Sequence, residues 1–238
     1  MSAVAESRPA PVAERDRQSI YVWELPVRLT HWVLFFSILI LSGTGYYIGH
    51  PFISVPGPAK DHFVMGTARV IHLYTAIAFT IAVLIRIFYW SFAGNRYARL
   101  TELIPLSRER WNSFWDSFLF FCFIKRRPAP YPGHDALAGA TYGVLFIIYL
   151  VLIATGLAMY TVYAPIDSPF QFFRILAPVF GGLQMARLIH HICMWIVLIL
   201  AVIHVYSVFL WSFVEKSGEV DSIFSGYKFW PKRKAEAS

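Results

Sequence analysis

The chain has 238 residues, 57% of them apolar and only 15% charged, against about a quarter charged in an average soluble domain. With a mean hydropathy of +0.53 it reads as an integral membrane protein. Its formal charge of +7 does not mark a nucleic-acid binder, because the basic residues flank apolar segments instead of forming one patch.

Residues 1–20 form a polar tail carrying both signs of charge. They lack the basic start and apolar run of a cleaved signal, so the first span is expected to act as an uncleaved anchor. Four spans follow, at about 29–49, 68–92, 138–161 and 186–214. Each reaches the roughly 20 residues that a crossing needs. They define one four-span unit over residues 21–214, followed by a tail at 215–238. Gly43 and Gly45 in the first span, and Gly143 and Gly156 in the third, suggest close approach of a helix or a cofactor. Between the second and third spans, residues 111–124 (WNSFWDSFLFFCFI) are too few to cross. Aromatics followed by Lys125, Arg126 and Arg127 read as an interfacial helix on the cytoplasmic face. The loops at 50–67 and 162–185 are rich in Pro and Gly, and Phe170, Phe172 and Phe173 in the second fit a short surface helix. No internal repeat is evident.

Sixteen of the 21 Lys and Arg lie before the first span, between the second and third, or after the fourth. Only Lys60, Arg69, Arg174 and Arg187 lie on the other side, in the other two loops or at the span ends beside them. That asymmetry places both termini and the middle loop in the cytoplasm. Cys122 and Cys193 are far apart and in no CxxC or CxxCH pattern, which excludes covalent haem attachment by motif and reads both as small buried hydrophobes.

Histidine carries the chemistry. His190 and His204 are fourteen residues apart in the fourth span, about 40° short of four full turns and roughly 21 Å along the axis. Both face one side of the helix, one toward each end of a hydrocarbon core about 30 Å thick. His31 lies at the start of the first span and His72 at the start of the second. Depth pairs them: His72 with His190 toward the periplasm, His31 with His204 toward the cytoplasm. Two neutral imidazoles fill both axial positions of a haem iron, leaving no open position for dioxygen, as electron transfer requires. A structural zinc site wants four ligands, and each pair offers two. The reading is therefore an all-α membrane four-helix bundle with two b haems. His191 points about 140° away from His204 and reads as a polar residue at the membrane edge or a subunit contact. His50, His62 and His134 fall in loops. Arg86, inside the second span, needs a partner: a haem propionate or, by snorkelling, the interface.

The segments YVWELPVRLTHW at 21–32, GTGYYIG at 43–49, RVIH at 69–72 and GNRYAR at 94–99 resemble motifs of a known family. So do GHDALA at 133–138, TGLAMY at 155–160 and HVY at 204–206. The family is the b-type cytochrome subunit of membrane-bound nickel–iron uptake hydrogenases, and the likeness runs from Tyr21 to about Tyr227. It implies a non-catalytic electron-transfer subunit in the inner membrane, ligating two b haems through His31, His72, His190 and His204. It also implies docking on the hydrogenase small subunit, and through it the large subunit, with quinone as the acceptor near the cytoplasmic face. The family often has a further histidine where Arg187 stands here, and FVEKSGEVDS at 213–222 departs from a more acidic tail. A diheme anchor for another enzyme, such as formate dehydrogenase, or a standalone b561-type cytochrome would share the histidine pattern. A histidine-lined transporter is disfavoured, since the spans hold no Asp or Glu.

Overall fold

The computed structural model describes residues 17–53, 56–57, 62–97, 99, 103, 107–125, 135–215 and 218–231. In chain order these form β1 (Arg17–Tyr21), α1 (Leu25–Gly49), α2 (Val64–Phe88), α3 (Arg108–Phe121) and α4 (Ala136–Tyr160). There follow α5 (Leu176–Val179), α6 (Leu183–Glu215), α7 (Glu219–Ser225) and β2 (Tyr227–Pro231). Helices α1, α2, α4 and α6 are each long and apolar enough to cross a membrane. Their outer faces carry exposed apolar side chains such as Phe36, Ile81, Ile147 and Ile199, as lipid-facing surfaces do.

The helices begin earlier than hydropathy alone places them, and local chemistry says why. Pro26 sits in the first turn of α1, where no intrahelical N–H is required. Asp135 caps α4, accepting from the Ala138 N–H at 2.7 Å. Helix α2 continues into one π-helical stretch, Tyr89–Ala93. Ser107 caps α3, whose side chain accepts from the Arg110 N–H. This aromatic helix packs on α4, and Phe120 and Phe121 reach Trp211 of α6 at ring separations of 5.9 and 6.2 Å. It is a short helix against the bundle, and the described residues contain four candidate spans. In the segment where a surface helix was expected, a 3₁₀ stretch (Pro169–Ile175) leads into α5.

Side-chain contacts fix an up-down-up-down order. The end of α1 meets the start of α2, where Gly45 faces His72; the end of α4 meets the start of α6, where Gly156 faces His190. The two hairpins join at a buried waist of Leu34, Phe79, Ala82, Val83, Tyr149 and Val197. Phe79 packs edge-on against Tyr149 at 5.0 Å.

Hydropathy offers no element for either terminal segment, yet both contribute one. β1 and β2 pair antiparallel, Arg17 opposite Pro231 through Tyr21 opposite Tyr227. Both described termini therefore lie at one end of the bundle, as an even number of spans requires. The Val22 and Trp23 amides donate to the Gly226 carbonyl at 2.8 and 3.1 Å. Gly226 has φ +88°, and a Cβ there would stand 2.7 Å from the Trp23 carbonyl, so only glycine fits the turn. Lys228 is buried, ion-paired with Glu219 at 2.7 Å and set over the Trp23 ring.

Candidate functional site

Four half-buried histidines face inward at two levels. At the terminal end, next to the β1–β2 sheet, the His31 and His204 rings have centroids 6.4 Å apart. At the far end, His72 and His190 lie within electrostatic reach of each other. Phe79 and Val197 of the waist stand seven residues beyond His72 and His190, about two turns, and Val197 is midway to His204. His31 thus lies beside His204 at one level, and His72 shares the other level with His190.

At the far end each imidazole leans on a neighbouring helix in the same way. His72 Nδ1 is 2.9 Å from Thr44 Oγ1 on α1, and His190 Nδ1 is 2.9 Å from Thr155 Oγ1 on α4. A Cβ on Gly45 would come within 3.2 Å of His72 Cε1, and one on Gly156 within 3.4 Å of His190 Cε1. The glycines let the rings lie against the helices. Of the four glycines singled out by sequence, these two approach a histidine; Gly43 faces open space and Gly143 faces Leu103.

The terminal pair is held otherwise. His204 Nδ1 lies 3.0 Å from the Tyr142 hydroxyl, while His31 Nδ1 is buried with no hydrogen-bond partner. Arg86 reaches the same level. Its Nη1 donates to the Val27 carbonyl at 2.9 Å and to Thr30 Oγ1 at 3.4 Å, and its guanidinium sits over Trp90 at 5.4 Å. Its partners among the described residues are thus the Val27 carbonyl and Thr30 hydroxyl of α1 and the Trp90 ring. Above it, Glu24 Oε2 accepts from the Tyr89 hydroxyl at 2.7 Å and the Asn95 N–H at 3.0 Å, and Asn95 Nδ2 donates to the Val22 carbonyl. At the foot of α4, burial pushes the Asp135 carboxyl up from its ordinary range and nearby Glu219 adds to it, while the Ala138 and Leu137 amides oppose the shift. Glu24, Asn95, Thr44 and Thr155 were not singled out by sequence reasoning. The signals available were Glu24 directly before the helix-starting Leu25–Pro26, and a Leu-x-x-Thr-Gly segment that occurs at both 41–45 and 152–156.

His191 is not part of either pair's bracing: its Nδ1 donates to the Arg187 carbonyl at 2.8 Å, and its ring lies against Gly49. His50 stacks on Tyr46. His62 is exposed, and His134 lies outside the described residues.

The donor set suits haem b. Among the described residues no three of His, Cys, Asp and Glu converge, so no tetrahedral protein ligand set forms there. A centroid separation of 6.4 Å leaves room for one metal ion between the two imidazoles. Two metal–nitrogen bonds of about 2 Å plus half a ring on each side give roughly 6 Å.

Comparison with known proteins agrees. Residues 22–226 match the family model described as prokaryotic cytochrome b561. The chain is 34% identical to the probable Ni/Fe-hydrogenase B-type cytochrome subunit of Rhizobium leguminosarum bv. viciae, over 92% of each chain. It is 33% identical to that of Cupriavidus necator, over 95% of this chain and 93% of the relative. To that of Rhodobacter capsulatus it is 35% identical, over 90% and 83%. With helices, histidines and relatives in accord, the chain belongs to the multi-pass b-type cytochrome subunits associated with Ni/Fe hydrogenases.

Proposed function

We propose that this chain is the diheme membrane anchor of a Ni–Fe hydrogenase, passing electrons from the hydrogenase small subunit to membrane quinone. The observation that carries the reading is the pair of two-histidine sites, one at each end of the bundle and separated by the buried waist. His72 and His190 would hold one haem b, and His31 and His204 the other. Haem b held in this way would supply one-electron transfer.

The remaining work belongs to the chain. Thr44, Thr155 and Tyr142 orient the imidazoles. The waist excludes water between the two levels. Arg86 holds a positive charge beside the terminal pair. The loop-charge asymmetry supports a cytoplasmic terminal end, with quinone reduced near that face. The far pair then faces the periplasmic partner in the inner membrane. Residues 21–214 form the electron-transfer unit, and the segments beyond them close its cytoplasmic end.

Purification of the chain with its partner subunits tests this. Hydrogen should reduce the b-type absorbance, and added quinone should reoxidise it. In His204→Ala, hydrogen should still reduce the remaining haem while quinone reduction fails. A complex whose b bands respond to formate and not to hydrogen would assign the anchor to another dehydrogenase.

A further inference from the structure

Thr44 and Thr155 touch the far histidines from two different helices with one geometry. Each threonine hydroxyl has a single proton, and both are already engaged: Thr44 Oγ1 donates to the Ile40 carbonyl and Thr155 Oγ1 to the Val151 carbonyl, each at 2.7 Å. Toward the imidazole, Oγ1 can then only accept. The nearby Leu41 and Leu152 backbone carbonyls can likewise only accept. Each Nδ1 must therefore carry the ring proton, and each Nε2 presents its lone pair. A free imidazole has no such preference imposed on it.

We propose that Thr44 and Thr155 are positioning residues that lock His72 and His190 in the Nδ1–H tautomer and lower the redox potential of iron bound at Nε2. This rests on the reading that the pair holds a haem. An acceptor on the far nitrogen raises the basicity of the ligating one. A more basic axial ligand favours the oxidised iron. The terminal pair lacks that bracing. His204 meets a neutral phenol that is itself able to donate, and His31 Nδ1 has no partner. The i−4 carbonyl of His31, Val27 O, is taken by Thr30 and Arg86, and the Arg86 cation lies within electrostatic reach of His31. The far site is accordingly the lower-potential one. The duplicated Leu-x-x-Thr-Gly segment, with its glycine making room for the ring, builds a downhill step from the far end to the terminal end.

The test is potentiometric titration of both b haems in the purified full chain, with a haem count alongside, for Thr44→Val, Thr155→Val, Thr44→Ser and Thr155→Ser. A His72→Ala variant identifies the far signal. Each Val variant should raise the far midpoint by about a tenfold change in the oxidised-to-reduced ratio, about 59 mV for one electron. The Ser variants should stay near wild type, and the terminal midpoint should not move in any of the four. If a Val variant loses the far haem while the matching Ser variant keeps it at the wild-type midpoint, the oxygen acceptor is again the requirement. A packing role predicts the reverse, with near-isosteric Val harmless and smaller Ser damaging. Unchanged midpoints in both Val variants carrying two haems would overturn the proposal and leave the haem sites standing. Absence of haem from the folded wild-type chain would overturn both.

Discussion

At the far end, His72 and His190 each rest on a Leu-x-x-Thr-Gly segment of the neighbouring helix, with both Nδ1 atoms 2.9 Å from a threonine oxygen. At the terminal end, His204 meets a tyrosine, His31 meets no polar partner, and an arginine, a glutamate and an asparagine crowd the same level. The first arrangement is local and made of two copies of one device. The second depends on elements far apart in sequence, β1, α2 and β2 among them. The setting of a buried histidine can be built twice from one short segment, whereas the opposite end needs an assembled cap. The two ends should therefore fail separately.

The largest such effect is expected from Glu24→Ala. It removes the acceptor for the Tyr89 hydroxyl and the Asn95 amide together. Hydrogen bonds to a charged group contribute about 1.5–3 kcal/mol each, so a loss of about 3 kcal/mol is expected. Thermal melting of the purified chain in detergent, followed through each haem signal, checks it: the terminal signal should be lost at lower temperature and the far one should not lead. Earlier loss of the far signal would break the division.

An intermediate effect sharpens the far end. Gly45→Ala places a Cβ 3.2 Å from His72 Cε1, tighter than the 3.4 Å that Gly156→Ala would give at His190. The helices there must yield slightly, at about 1 kcal/mol for Gly45→Ala and less for Gly156→Ala. The far haem's absorbance should broaden in that order, with the terminal haem unchanged.

The smallest effect belongs to Asp135→Asn. The carboxyl is raised by burial, so its stabilising contribution is complete below the ordinary carboxylate range and is lost as pH rises through the raised value. Asparagine keeps the cap on α4 without that loss. The variant should match or exceed wild type by less than about 1 kcal/mol at pH 8 and lose the advantage in acid, as melting curves across pH would show.

Much of this architecture was legible in the sequence. Hydropathy gave four spans because lipid-facing helices are apolar along their whole length, and aromatics beside a basic run gave the short α3. The fourteen-residue interval placed His190 and His204 on one face because helical period is a local property. What escaped was long-range. The β1–β2 sheet joins residues at the two ends of the chain, and Glu24 finds Asn95 only after α1 and α2 have folded back on each other. Arg86 could be seen to need a partner, but its acceptor is a backbone carbonyl, Val27 O, which has no signature in sequence. Thr44 and Thr155 read as ordinary helix residues until the rings beside them are known.

The most direct measurement is pyridine-haemochrome quantification of the purified chain, alongside His72→Ala and His204→Ala. Two b haems per wild-type chain, with one remaining in each variant and with different spectra, is the result this account predicts. Loss of both haems in either variant, or a folded wild-type chain with fewer than two, would contradict the claim that two independent histidine pairs hold the cofactors.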